Sequence, residues 1–135
     1  MRYLLDVNAL VALGFLQHEF HGRMARWVTK LAVQGIPELA TCSITELGFV
    51  RVLVQAPQYG ITVEQSCHLL TQLKAAHKAN FIFFADDLDV SHLPRWVKTA
   101  KQTTDGHLAQ LAKAHGAVLA TLDRKIPHAF LIPVA

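Results

Sequence analysis

The fold is indicated first by residues 3–10, Tyr3-Leu4-Leu5-Asp6-Val7-Asn8-Ala9-Leu10, where a short apolar run is followed by an acid and a second apolar segment. The first three of these residues predict a brief strand, and residues 9–16 predict an apolar helix behind it. The same alternation continues along the chain. Further strands are predicted at residues 39–42, 81–84, 117–121 and 130–132, and further helices at residues 18–33, 43–55, 62–78 and 104–115.

Continuously apolar strands that are separated by helices are typical of a parallel sheet covered on both faces. The expected fold class is therefore α/β. The 135 residues have the usual size of one domain, 1–135, and an apolar content of 52% excludes a disordered chain. Ligands of such sheets bind beyond the carboxyl ends of the strands, so functional residues are expected at that edge.

Charge and cysteine content restrict the class of protein. A net charge of +3 is compatible with a polyanionic partner but does not require one. Cys42 and Cys67 form neither a disulfide framework nor a cluster with zinc-binding spacing. Asp6 and Asn8 interrupt the first apolar run, and no uncharged stretch reaches the ~18 residues of a membrane span. We therefore expect a cytoplasmic protein without a membrane segment.

Four of the ten acidic residues are predicted at the carboxyl edge of the sheet. Asp6 ends the first strand, Asp123 follows the strand at 117–121, and Glu46 and Asp105 lie in first turns of helices. Carboxylates near 4 Å repel by about 4 kcal/mol per pair at an effective dielectric of about 20, so such a cluster favours Mg²⁺ or Mn²⁺. Each acid also has a purely structural interpretation. Asp6 could cap the following helix, and Glu46 could form a capping box with Ser43. Asp105 could complement the helix dipole from the first turn, and Asp123 could belong to a turn.

Four segments, in order, resemble the PIN domain family, and more narrowly the VapC toxins of bacterial type II toxin–antitoxin systems. They are Leu5-Asp6-Val7-Asn8-Ala9-Leu10, Ile44-Thr45-Glu46-Leu47-Gly48-Phe49-Val50-Arg51, Thr104-Asp105-Gly106-His107-Leu108-Ala109 and Leu119-Ala120-Thr121-Leu122-Asp123. The resemblance implies a three-layer α/β/α sandwich with a mainly parallel central sheet. It also implies a Mg²⁺- or Mn²⁺-dependent endoribonuclease, a VapB-type antitoxin as partner, and a homodimer.

The resemblance implies roles for individual residues as well. Asp6, Glu46, Asp105 and Asp123 match the acidic quartet of the family, with Asp6 and Asp105 as the most direct metal ligands. Asn8 and Thr121 match polar positions that support the site. Bound metal supplies the activated water and the charge relief that phosphodiester hydrolysis needs, so no protein nucleophile is required.

Basic residues near these segments are candidates for contacts with RNA phosphates. They are Arg51, Lys98, Lys101 and Arg124. Trp96 stands between basic residues and could stack an unpaired base, but anchoring of the indole in the core is the favoured interpretation.

Several other features have simpler interpretations. His18 and His21 are three residues apart, whereas the zinc-protease motif needs four. His107 is interpreted as a solvated or edge histidine, and residues 86–89 as a solvated turn. Two other functions stay open: a non-catalytic RNA-binding scaffold, and a phosphatase of the haloacid dehalogenase type. The phosphatase requires a second aspartate where Asn8 stands.

Overall fold

The computed structural model describes residues 1–76 and 78–134, which form five strands and five α-helices. The strands are β1 (Arg2–Leu5), β2 (Glu38–Cys42), β3 (Asn80–Phe84), β4 (Val118–Thr121) and β5 (Phe130–Leu131). The helices are α1 (Val7–Gly14), α2 (His21–Val33), α3 (Ser43–Gln55), α4 (Val63–Ala75) and α5 (Thr103–Ala114). Three short 3₁₀ turns lie at Pro57–Tyr59, Val90–His92 and Ala100–Gln102.

The strands form one sheet in the order β3-β2-β1-β4-β5, and each of the four pairings is parallel. In the register of this sheet, Leu4 pairs with Ala40 of β2 and with Leu119 of β4. The predicted α/β class with a mainly parallel sheet is confirmed. β1 lies at the centre of the sheet, so the residue that follows it is flanked by strand ends on both sides.

Two apolar clusters cover the two faces of the sheet, because alternate strand residues point to opposite sides. Leu5, Leu39 and Ala120 pack beneath α1, α2, α3 and α4 on one face. On the other face, Leu4 and Leu119 pack against the inner side of α5. This arrangement is the three-layer α/β/α sandwich that the resemblance implies.

Local signals set several helix boundaries. α4 begins with the predicted capping box, in which Thr62 and Gln65 exchange side-chain-to-backbone hydrogen bonds of 2.9 and 3.1 Å. α4 ends at Ala75, before the predicted end at Lys78, and His77 lies outside the described residues. α2 begins at His21 and not at His18, because the imidazole of His18 accepts the backbone N–H of Phe20 in a turn before the helix.

Candidate active site

Asp6 is the most enclosed acid at the carboxyl edge, with 6% of its surface exposed. It is also the N-cap of α1, since its Oδ1 accepts the N–H of Ala9 at 2.8 Å. Its Oδ2 accepts the Thr121 hydroxyl at 2.5 Å. The capping interpretation of Asp6 is therefore correct, and the same side chain also faces the end of β4.

Thr121 connects Asp6 to the segment that carries Asp123. The backbone N–H of Asp123 donates to the Thr121 hydroxyl oxygen at 2.9 Å. Asp123 itself is exposed and accepts the N–H of Lys125 at 2.9 Å, which closes the predicted turn. The end of β4 thus presents one hydroxyl to a buried carboxylate and one exposed carboxylate to solvent.

Asp105 completes a set of three aspartates whose charges act on one another. Burial raises the pKa of Asp6 above its usual value, and the carboxylates of Asp105 and Asp123 raise it further against the two hydrogen bonds it accepts. Burial and the charge of Asp123 also raise the pKa of Asp105, which lies in the first turn of α5. The edge therefore carries negative charge that the protein leaves partly uncompensated.

Glu46 has a different environment. Its Oε2 accepts hydrogen bonds from the Thr41 hydroxyl and from the Lys74 ammonium, each at 2.6 Å. The predicted capping box of Ser43 with Glu46 is wrong, because Ser43 is already the first residue of α3 and cannot be its N-cap. Cys42 is the N-cap of α3, and its partner in the box is Thr45.

Lys74 is a residue that the sequence does not reveal. It lies on α4, 28 residues from Glu46, and their pairing depends on how α3 packs against α4. Glu46 and Lys74 line an open cleft of about 430 Å³ between these helices, together with Phe83 of β3. No local spacing signals such a contact.

Two glycines allow the elements around the site to pack closely. A Cβ on Gly48 of α3 would lie 2.5 Å from a methyl group of Val7, the residue after Asp6. Gly106 of α5 follows Asp105, and a Cβ on it would overlap a methyl group of Val97. The absence of a side chain at Gly48 therefore lets α3 approach Val7, and the absence of one at Gly106 lets α5 approach Val97.

Residues 86–89 are not simply a solvated turn. Asp86 Oδ2 accepts a hydrogen bond from His107 Nε2 at 2.5 Å, and each side chain is only 17% exposed. Burial acts to raise the pKa of Asp86, but the hydrogen bonds from His107 and from the backbone of Leu88 outweigh it and lower that pKa. The pair joins the end of β3 to α5. Asp86 and His107 are therefore partners of each other and not simply solvated side chains.

The remaining predicted residues lie at the surface. Asn8 is exposed on α1, Arg51 is exposed on α3, and Arg124 is exposed in the turn after β4. Lys98 and Lys101 are exposed in the segment that precedes α5. Trp96 is partly buried against the cluster under α5, so its favoured interpretation as a core anchor is correct.

Asp6, Asp105 and Asp123 are close enough for their charges to act on one another, but they do not form a complete set of metal ligands. Among residues 1–76 and 78–134, no three His, Cys, Asp or Glu side chains are placed to hold one metal ion together.

His21, from the histidine pair that resembles a zinc-protease motif, donates a hydrogen bond to the Ala12 carbonyl at 2.8 Å. In the described part of the chain, no helix is long and apolar enough to cross a membrane.

Comparison of the sequence with protein-family models identifies the family of this chain. The family model for the PIN domain matches residues 3–130. The chain belongs to the PIN domain family. This membership sets aside the phosphatase of the haloacid dehalogenase type as an alternative.

Proteins of Mycobacterium tuberculosis are similar to this PIN domain over most of its length. Ribonuclease VapC38 is 39% identical over 124 residues, which span 89% of this chain and 84% of that protein. Ribonuclease VapC44 is 38% identical over 132 residues, spanning 93% and 89%. Ribonuclease VapC29 is 33% identical over 139 residues, spanning 98% of each. The chain is therefore a PIN domain of the VapC type.

A solved structure shares the fold of this PIN domain. It is the crystal structure of VapBC2 from Rickettsia felis bound to a DNA fragment from their promoter. The match covers 97% of both chains with a TM-score of 0.56 and a sequence identity of 18%.

Proposed function

We propose that this PIN domain is a divalent-metal-dependent endoribonuclease and the toxin of a VapBC-type toxin–antitoxin pair. The observation that carries the proposal is that Asp6 is buried at the carboxyl edge, where Thr121 and Ala9 hold its two oxygens and where the charges of Asp105 and Asp123 act on it. Carboxylates held in this way at the ligand-binding edge of a parallel sheet favour a cation between them. The relatives named as VapC ribonucleases support RNA as the substrate.

The residues fit Mg²⁺ or Mn²⁺. The donor set contains only oxygen atoms, and Mg²⁺ commonly binds through one or two carboxylates while water fills its other positions. Asp6 and Asp105 are proposed to hold the ion most directly, and Asp123 and Glu46 to complete the site directly or through water. When bound, the ion supplies a water of lowered pKa and neutralises charge on the phosphate.

The chain's own residues orient the acids and bind the substrate. The Thr121 hydroxyl fixes one oxygen of Asp6, and the Ala9 N–H fixes the other, so the carboxylate cannot rotate. Arg51, Lys98, Lys101 and Arg124 are exposed and are proposed to contact RNA phosphates, which need positive charge but no base-specific geometry. Asn8, exposed two residues after Asp6, is proposed to support the site at the substrate side.

Partners follow from the same assignment. A VapB-type antitoxin is proposed, supported by the VapC names of the relatives and by the VapBC2 structure that shares the fold. A second copy of the chain is proposed as well, as the resemblance to the VapC toxins implies. Exposed apolar side chains on three elements, Leu47 at 67%, Val63 at 57% and Phe83 at 50%, offer surface for such contacts. The mass of the purified chain in solution tests the dimer.

A cytoplasmic location also stays a proposal, and it is consistent with two cysteines that are both free thiols.

Cleavage of a total small-RNA pool tests the function. The full chain is assayed with Mg²⁺, with Mn²⁺ and with EDTA, alongside Asp6→Asn, Asp105→Asn and a matched surface control, Asp87→Asn. We expect cleavage that requires the divalent ion, is lost in the first two variants and persists in the control.

Other outcomes separate the alternatives. Cleavage that survives EDTA would contradict the metal requirement, and cleavage that survives both site variants would contradict the assigned acids. RNA that binds to the protein but stays intact with either ion would favour a non-catalytic RNA-binding scaffold.

A further inference from the structure

Glu46 and Lys74 form an ion pair that three separate elements hold in place. The Lys74 ammonium on α4 donates to Oε2 of Glu46 on α3 at 2.6 Å, and the Thr41 hydroxyl on β2 donates to the same oxygen at 2.6 Å. Hydrogen bonds to an ionised carboxylate are shorter and roughly twice as strong as bonds between neutral groups. One carboxylate is thus fixed by a cation from the chain itself.

Lys74 is held from a second side. Its ammonium lies 5.7 Å from the centre of the Phe83 ring, within the distance at which an aromatic face attracts a cation. The Lys74 and Glu46 side chains are 32% and 25% exposed, so water screens the pair less than it screens a pair on the open surface. Glu46 and Phe83 thus both contribute to holding the Lys74 ammonium in the cleft.

The charge of Glu46 is separated from that of the three aspartates. Glu46 is tied to Thr41 at the end of β2 and to Lys74 on α4. Asp6 is tied to Thr121 at the end of β4, on the opposite side of β1 from β2, and Asp123 follows the same strand. The four acids at the carboxyl edge thus divide into three that repel one another and one that is paired with a lysine.

We propose that Lys74 is a positioning residue, which neutralises Glu46 and holds it on the α4 side, so that the three aspartates set the affinity for a divalent cation. This inference rests on the proposed metal-dependent function and refines it. Lys74 also places a positive charge beside the site, and this charge weakens cation binding. Removing it leaves Glu46 free and makes the edge more negative.

Binding of Mn²⁺ to the metal-stripped full-length protein tests the role of Lys74, with free Mn²⁺ measured by electron paramagnetic resonance. In Lys74→Met we expect Mn²⁺ to bind about fivefold more tightly, because one positive charge beside a solvent-rich cleft is lost. Lys74→Arg keeps the charge and should match the wild type. Lys30→Met is the matched control, since it removes an equal charge from an exposed site in the last turn of α2.

A second variant tests the same inference if Lys74→Met does not fold in a thermal melt. Glu46→Gln should weaken Mn²⁺ binding much less than Asp105→Asn does, because Lys74 already neutralises the carboxylate. An equal loss in both variants would make Glu46 a full ligand and would overturn the proposal. Unchanged or weaker binding in a folded Lys74→Met would overturn it as well.

The outcomes for the wild type separate this inference from the proposed function. A wild type that binds Mn²⁺, with variants that do not follow the expected order, contradicts only the role of Lys74. A wild type that binds no Mn²⁺ contradicts the metal requirement and overturns both proposals.

Discussion

Asp6 and Thr121, 115 residues apart in the sequence, are joined by a 2.5 Å hydrogen bond from the threonine hydroxyl to Oδ2 of the aspartate. The same hydroxyl accepts the N–H of Asp123 at 2.9 Å. The bond joins the ends of the neighbouring parallel strands β1 and β4, whose register pairs Leu5 with Ala120. One small polar side chain therefore links the most enclosed acid of the site to the segment that carries another.

Removing this hydroxyl should impair the site without disrupting the fold. We expect Thr121→Val to lower the rate of RNA cleavage and the affinity for Mn²⁺ by about 10-fold to 100-fold, the usual effect of losing a partner that orients a metal ligand. Thr121→Ser retains the hydroxyl and should stay close to the wild type. Equal activity in the valine and serine variants would show that the hydrogen bond has no role in orienting Asp6.

Asp6 should limit the stability of the metal-free protein. A carboxyl whose pKa is raised by folding contributes stability below its unfolded value of 3.8 and loses that contribution as the pH rises through the folded value. At neutral pH the buried charge therefore destabilises the fold. Asp6→Asn, which keeps an oxygen for the Ala9 N–H, should raise the melting temperature in EDTA by about 2–5 °C.

The same melts report on metal binding. Excess Mn²⁺ should raise the melting temperature of the wild type, because a ligand that binds only the folded state stabilises it by about 2.7 kcal/mol at 100 times its dissociation constant. Mn²⁺ should raise the melting temperature of Asp6→Asn much less than that of the wild type. If Asp6→Asn melts at a lower temperature than the wild type in EDTA, the buried charge of Asp6 does not destabilise the metal-free fold.

The pair of Asp86 and His107 should give a pH-dependent contribution of the opposite sign. Its hydrogen bonds lower the pKa of Asp86, so the stabilisation is present above the unfolded value of 3.8 and is lost as the pH falls through the folded value. We expect Asp86→Asn to cost about 1 kcal/mol near neutral pH. Denaturant unfolding at about pH 5 and about pH 3 should show the difference from the wild type shrinking at the lower pH.

The neighbouring exposed aspartate supplies the control for that measurement. Asp87→Asn should leave the free energy of unfolding unchanged at both pH values, since Asp87 is exposed. A loss of stability in Asp86→Asn that is equally large at the lower pH would point to packing and not to ionisation.

Gly106 should be sensitive to the addition of a single methyl group. Gly106→Ala places a Cβ against Val97, and overpacking of this kind costs about 1–3 kcal/mol. Because Asp105 is the preceding residue, Mn²⁺ binding should weaken as well. Gly22→Ala is the matched control within a helix, since its Cβ would meet only the flexible end of Arg26 at 3.2 Å. Equal stability of the two variants would show that α5 can move away from Val97 without cost.

The features that the sequence predicts are those with local signals. The apolar run before Asp6, the capping box at Thr62 and the helical pattern after Thr103 depend on neighbouring residues, and the corresponding elements lie within a few residues of their predicted bounds. The parallel direction of the strands follows from the alternation of strands and helices, whereas their order in the sheet is seen only in the structure. The presence of the acids at one edge follows from the parallel direction.

The contacts that refine the site have no such signal. Lys74 reaches Glu46 across 28 residues, and His107 reaches Asp86 across 21, through the packing of elements whose mutual angles no periodicity encodes. The close approach at Gly106 depends on Val97 in a loop. Side-chain packing decides these contacts, so they become visible only in three dimensions.

The central position of β1 has a consequence for biosynthesis. Its neighbour on one side is β2, but its neighbour on the other side is β4, which the ribosome makes more than a hundred residues later. Until residues 118–123 have been synthesised, Asp6 lacks the Thr121 hydroxyl, and Asp123 does not yet exist. A growing chain therefore carries no assembled site until residue 123 has been synthesised and β4 has paired with β1.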